Sequence, residues 1–175
     1  MRNVKVVPYD QQWVVLFQEA ETELRAAFGK NLLVVHHIGS TAIPGMVAKP
    51  VIDIMPVVQN IENVANAESA LARIGYEPRG EYGISGRRYF VKEEEGQRTH
   101  HVHAFEFNHP AVVRHIAFRD YLITHPIEAK RYADLKMKLA EQYRDERQHY
   151  VEGKSSLIAE LEKRALAWKE RAQPL

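Results

Sequence analysis

The chain has 175 residues and not one cysteine. That removes a disulfide framework, a thiolate nucleophile and thiolate metal sites together, so a bound metal would have to rely on histidine, carboxylate or solvent oxygen. Net charge is almost absent too, with 24 Lys and Arg against 23 Asp and Glu. No global field draws in nucleic acid or anionic lipid, and neither is expected as a partner, although a local basic patch suffices to hold a phosphate. Long apolar runs are also missing. The opening stretch MRNVKVVPYDQQW has no apolar segment of signal-peptide length, and nothing later approaches the ~20 apolar residues of a membrane span. The expectation is a cytoplasmic protein with no membrane contact. At this length roughly 70% of the unfolded chain's surface can be buried, enough for a core without staples. With no repeat, low-complexity tract or linker, one domain over residues 1–175 is expected.

What is present has clear periodicity. Asp10 precedes QQWVVLFQEAETELRAAFG, in which Trp13, Leu16, Phe17, Ala20, Leu24 and Ala27 keep helical spacing and Gly29 supplies a stop. LLVVHHI at 32–38 and KPVIDIMPVV at 49–58 read as strands, the second with Pro50 at its entry and Pro56 near its exit. Asn60 caps a helix that Gly75 ends. RRYFVK, a turn at EEEGQ and THHVHAFEF form an antiparallel hairpin that should extend the earlier strands. Pro110 and Pro126 open two helices, and a last one covers about 151–170. The fold class is α+β, a sheet flanked by helices, with a helical C-terminal third.

One stretch stands apart, HHIGSTAIPGMVAKPVIDIMPVV at 36–58. A strand running into Gly39-Ser40 gives a tight turn with free N–H groups, suited to phosphate. Alternation along the next strand puts Val51, Asp53 and Met55 on one face and Ile52 and Ile54 on the other. Asp53 is a lone carboxylate in an apolar run, costly to bury without partners. Its alternatives are a ligand site or a core carboxylate satisfied by amides. His101 and His103, two apart on the hairpin strand, share a face. If that face is Asp53's, the three make a cluster suited to Mn²⁺, Fe²⁺ or Zn²⁺, or a set of hydrogen-bond partners for a ligand. Lys49 is either a solvated side chain or a phosphate contact. His37, two residues before Gly39, is preferred over His36 as a site member.

The segment HHIGSTAIPGMVAKPVIDI resembles the signature of the GrpB-like family, grouped by fold with the nucleotidyltransferase superfamily of polymerase beta. Later motifs agree in order: HVH at 101–103, FRDYL at 118–122, Tyr132 with Leu135 and Lys136, and Tyr150 with Lys154. The resemblance implies a nucleotidyltransferase-like mixed sheet and metal-assisted transfer of a nucleotide, with Mg, Mn or Zn as the cofactor. The alternative it leaves is a non-catalytic module that binds a nucleotide or other phosphorylated small molecule. Transferring members carry two carboxylates at alternate strand positions; here Asp53 matches the second and Val51 falls on the first. Asp53, Ser40 and Lys49 are the implied catalytic residues. His37, Gly39, Ser40, Lys49, Arg88, Arg119, Lys136, Tyr150 and Lys154 are the implied ligand contacts, and Asp53, His101 and His103 the implied metal ligands. Fusion of related domains to dephospho-CoA kinase suggests association with a metabolic kinase by analogy.

Overall fold

A computed structural model describes residues 4–172. Five strands form one mixed sheet in the order β1-β2-β5-β4-β3, where β1 is Leu32–Ile38, β2 Ile52–Val58, β3 Tyr76–Pro78, β4 Arg88–Glu94 and β5 Gln97–Glu106. β2 and β5 run parallel; every other neighbouring pair is antiparallel. Five α-helices accompany the sheet: α1 (Gln12–Phe28), α2 (Glu68–Arg73), α3 (Pro110–Thr124), α4 (Pro126–Gln142) and α5 (Arg147–Ala172). The expected α+β class, with a mixed sheet flanked by helices and a helical C-terminal part, is the one observed.

Local chemistry sets most of the boundaries. Asp10 Oδ1 accepts from the Gln12 N–H at 2.9 Å, and Gly29 leaves α1 at φ +54°. Pro110 and Pro126 each lie in a first helical turn, and His109 Nδ1 accepts from the Ala111 N–H to cap α3. β4 turns into β5 through Glu95 and Gly96, both at positive φ, as a two-residue hairpin turn requires.

Four readings change. β2 begins at Ile52, so Pro50 lies before the strand rather than at its entry, while Pro56, opposite Val35, is near its exit as expected. The segment after Asn60 starts as a 3₁₀ turn over Glu62–Ala67 and becomes α-helical only at Glu68. The last helix begins at Arg147, a turn before the expected start. β3, a three-residue edge strand, has no apolar alternation to betray it.

The two sheet faces are buried differently. One packs Ile52, Ile54, Val58, Phe90 and Val102 against Trp13, Leu24 and Phe28 of α1 and Leu71 of α2. On the other, Ile38, Met55, Val57 and Phe105 meet Ala111 and Val112 of α3. Ile43 and Met46, in the loop after β1, join a third cluster with Leu122, Tyr132, Leu157 and Leu161 from α3, α4 and α5. That cluster brings three C-terminal helices over the loop between β1 and β2, and the space left between them is the site.

Candidate functional site

Parallel pairing of β2 with β5 sets Asp53 opposite His101, and antiparallel pairing of β1 with β2 sets it opposite Ile38. Asp53 therefore rises from the α3 face of the sheet, with His101 beside it and His103 two residues on. His101 Nδ1 lies 3.0 Å from Asp53 Oδ1, and His103 Nε2 lies 3.6 Å from the same oxygen. An ionised carboxylate only accepts, so His101 carries its proton on Nδ1. The guanidinium of Arg87 approaches His103 Nδ1 at 3.3 Å and can only donate, which puts the His103 proton on Nε2, facing Asp53. Burial by itself would raise the Asp53 pKa; the two imidazole N–H groups outweigh it and hold the carboxyl well below the usual carboxylate range.

Gly39 makes this arrangement possible. Its backbone sits at φ +70°, and a Cβ there would lie 2.6 Å from Asp53 Oδ2. The glycine is required both for the turn and for the approach of the carboxylate. Ser40 follows in a 3₁₀ turn and accepts a hydrogen bond from Lys136 Nζ at 2.9 Å. Lys136, 2% exposed, also donates to the Val47 carbonyl and lies 4.4 Å from the centre of the Tyr132 ring.

Opposite Asp53, Lys49 and Lys154 stand 4.7 and 5.0 Å from the centre of the Tyr150 ring. Together these residues, with Thr41, Ala48, Val51 and His101, line a cleft of about 120 Å³. Burial pushes Lys136 down to about 7, with repulsion from Lys154 adding to it. Burial and the same neighbour bring Lys49 down to about 8. Lys154 is lowered by burial as well, against the attraction of Asp53. Among the described residues, neither the Lys49 nor the Lys154 ammonium group has a hydrogen bond or an ion pair.

Of the residues singled out from sequence, the cleft brings together Ser40, Lys49, Asp53, His101, Lys136, Tyr150 and Lys154. Gly39 and His103 contact Asp53 from behind it. Three expectations are corrected. His37 pairs with Ile54 and lies on the α1 face, stacked on Phe17 with ring centres 4.7 Å apart and bonded to Thr41 Oγ1. Arg88 pairs with Ala104 on that same face and bonds Glu62, so its neighbour Arg87 is the arginine on the Asp53 side. Arg119 donates to the His37 carbonyl and pairs with Asp120, which steadies the end of β1 without lining the cleft. Arg87 and Thr41 are additions, and Tyr132, named above only as a motif residue, joins them in the site. The spacing Tyr-x-x-x-Lys, which occurs at both 132–136 and 150–154, is the sequence signal that could have placed Tyr132 beside Lys136 in the site.

Asp53, His101 and His103 offer ligand atoms within 4.8 Å of one another, close enough to hold a metal ion. Donor type and spacing fit. The far ring nitrogens do not: a ligating histidine normally donates its other N–H to an acceptor, whereas His103 Nδ1 faces a guanidinium and His101 Nε2 has no partner. As the side chains stand, the cluster is a hydrogen-bond network centred on Asp53, and a metal would have to displace Arg87 to enter it.

Comparison with known proteins bears on this architecture. The GrpB protein family model matches residues 3–164. Protein YqkA of Bacillus subtilis is 45% identical over 169 residues, 97% of this chain and 49% of its own, so the chain spans about half the length of that relative. The crystal structure of GrpB from Enterococcus faecalis superposes with a TM-score of 0.90 at 40% identity, over 97% of this chain and 100% of that one. Cid1 poly(U) polymerase overlaps at 9% identity and a TM-score of 0.46, over 75% of this chain and 44% of its own, a likeness too slight to speak to chemistry. With a family match across nearly all of its length and a near-superposable relative, the chain belongs to the GrpB family.

Proposed function

We propose that the cleft binds a small phosphorylated ligand of the nucleotide class. The observation that carries this reading is the excess of amines: the Lys49 and Lys154 side chains line a half-closed cleft without an ion pair among the described residues, Lys136 is a third amine beside them, and Asp53 is the single carboxylate in the lining. Half-buried ammonium groups that repel one another are held at a cost, and an anion offsets it. Ser40, having accepted from Lys136, is a donor in turn, and the turn at Gly39 leaves backbone N–H groups near the same spot.

The test is calorimetric titration with AMP and ATP at pH 7, with and without Mn²⁺. Binding is expected without the metal, and the double substitution Lys49→Met/Lys154→Met should weaken it at least about 100-fold, roughly 2.7 kcal/mol. Absence of heat with every phosphorylated compound overturns the proposal. Metal-assisted nucleotidyl transfer is the second reading, favoured by the donor triad at Asp53. Val51, which lines the cleft where a further carboxylate would add a ligand, weighs against it. Release or transfer of label from α-labelled triphosphates with Mg²⁺, Mn²⁺ or Zn²⁺ would promote the second reading over the first.

A further inference from the structure

We propose that the cleft recognises only the phosphate end of its ligand, seating one phosphate monoester group as a dianion while the rest of the molecule stays outside. This rests on the reading of the cleft as a phosphorylated-ligand site and narrows the ligand class.

Size is the first argument. At about 120 Å³ the cleft is well below the ~300–1,000 Å³ of pockets that enclose a whole drug-sized molecule. A phosphoryl group and its ester oxygen fit such a space; a nucleoside does not.

The second argument is what the walls offer. Specific recognition of a base needs a free aromatic face to stack on or polar groups aligned with its edge. The cleft has three rings, Tyr132, Tyr150 and His101; ammonium groups occupy the tyrosines, Lys136 at 4.4 Å from the first and Lys49 and Lys154 at 4.7 and 5.0 Å from the second, and His101 is bonded to Asp53 and packed against Tyr89 and His103. Ala48 and Val51 are the other apolar lining residues and are too small to form a base platform.

Charge gives the third. Three amines face one carboxylate, and that carboxylate already accepts from His101. The cleft is thus two positive charges in excess when its lysines are protonated, the complement of a monoester dianion. A triphosphate overfills it and leaves part of its charge beyond the three amines. Around these amines the other titratable or charged groups are Asp53, His101, Tyr132, Tyr150 and Arg147. Of these only Asp53 is anionic near neutral pH, and it attracts Lys49 and Lys154 while Arg147 repels both. Burial first, and then repulsion from Lys154, depresses Lys49 and Lys136, and an incoming dianion stabilises their protonated forms. Binding at pH 8 should therefore take up protons.

The experiment titrates the full chain with inorganic phosphate, ribose 5-phosphate, AMP, ATP and adenosine at pH 8, by calorimetry in two buffers of different ionisation enthalpy. Expected are silence with adenosine, affinities for ribose 5-phosphate and AMP within about tenfold of each other, ATP no tighter than AMP, and net proton uptake. Lys154→Met removes a charge from a repulsive cluster, so folding is not at risk, and it should weaken AMP and phosphate alike by about tenfold or more. A preference for AMP over ribose 5-phosphate beyond about 100-fold, or measurable adenosine binding, overturns the inference while the phosphorylated-ligand reading stands. Silence with all four phosphorylated compounds overturns both.

Discussion

The two walls of the cleft are built on opposite principles. On the sheet wall, Asp53 has a proton donor in His101, and His103 is fixed in its turn by Arg87. Among its fully buried side-chain atoms only His101 Nε2 lacks a partner, and the partly exposed Asp53 carboxylate accepts its hydrogen bond at Oδ1. On the facing wall, Lys49 from the loop before β2 and Lys154 from α5 are gathered around Tyr150, neither ammonium with a hydrogen bond among the described residues. The first wall is a hydrogen-bonded structural unit that fixes the turn and the strand ends; the second is held in an unfavourable state that a ligand would relieve. A carboxylate is the residue that draws the eye in the sequence, yet the unmet demand lies with the amines.

Each side of that contrast can be broken separately. The largest effect is expected from Gly39→Ala, which puts a Cβ 2.6 Å from Asp53 Oδ2 on a backbone at φ +70°. The overpacking and the left-handed strain together should cost about 3 kcal/mol of stability in urea denaturation. A cost below about 1 kcal/mol would mean the two groups are not held in contact.

Next comes Asp53→Asn, expected to cost about 1–3 kcal/mol at pH 7 through loss of a charge-assisted bond. The Asp53 pKa is lower in the folded than in the unfolded chain, where it is near 3.8. Its stabilisation is therefore complete above about pH 4–5 and is lost as pH falls toward the folded value. The variant should lack that part of the acid limb of the stability curve.

Lys136 has the reverse signature. Its folded pKa is about 7 against 10.5 unfolded. Below pH 7 both states carry the proton and the folded state bears the penalty; between about 7 and 10.5 only the unfolded chain binds it, so stability rises with pH by up to about 1.4 kcal/mol per unit. Thermal melts from pH 7 to 9 should show this rise without ligand, and Lys136→Met should flatten it.

The smallest effect is the control. Arg88→Ala, on the α1 face with a partner, Glu62, whose side chain is 77% exposed, should change stability by no more than about 0.5 kcal/mol and leave phosphate binding unaltered. A clear loss of binding would reverse the assignment of faces.

How far the site could be read beforehand is shown by His37 and Arg88. Counting two back from Gly39 assumes that strand alternation survives into the turn, and a residue at φ +70° breaks it. The true parity comes from pairing: His37 lies opposite Ile54, so it shares the face of the apolar isoleucines. For the two arginines the deciding fact is the β4–β5 register, which includes an irregularity between Lys92 and Glu93 that no local pattern announces. Lys136, Tyr150 and Lys154 were the reverse case. Long charged side chains on helices usually reach outward, yet here they converge on one cleft because α4 and α5 pack over the loop that carries Ile43 and Met46.

Periodicity, caps and turn residues in the sequence determined the helices, four of the five strands, the tight bend at Gly39 and the face from which Asp53 projects. All of these depend on interactions within a few residues. Tertiary structure alone decided which imidazoles reach the carboxylate, which arginine stands behind them and which amines share a cleft. Those contacts join positions 48 and 96 residues apart in the chain, as Asp53 with His101 and Ser40 with Lys136 do. Their geometry is set by strand register and helix packing, which no short stretch of sequence contains.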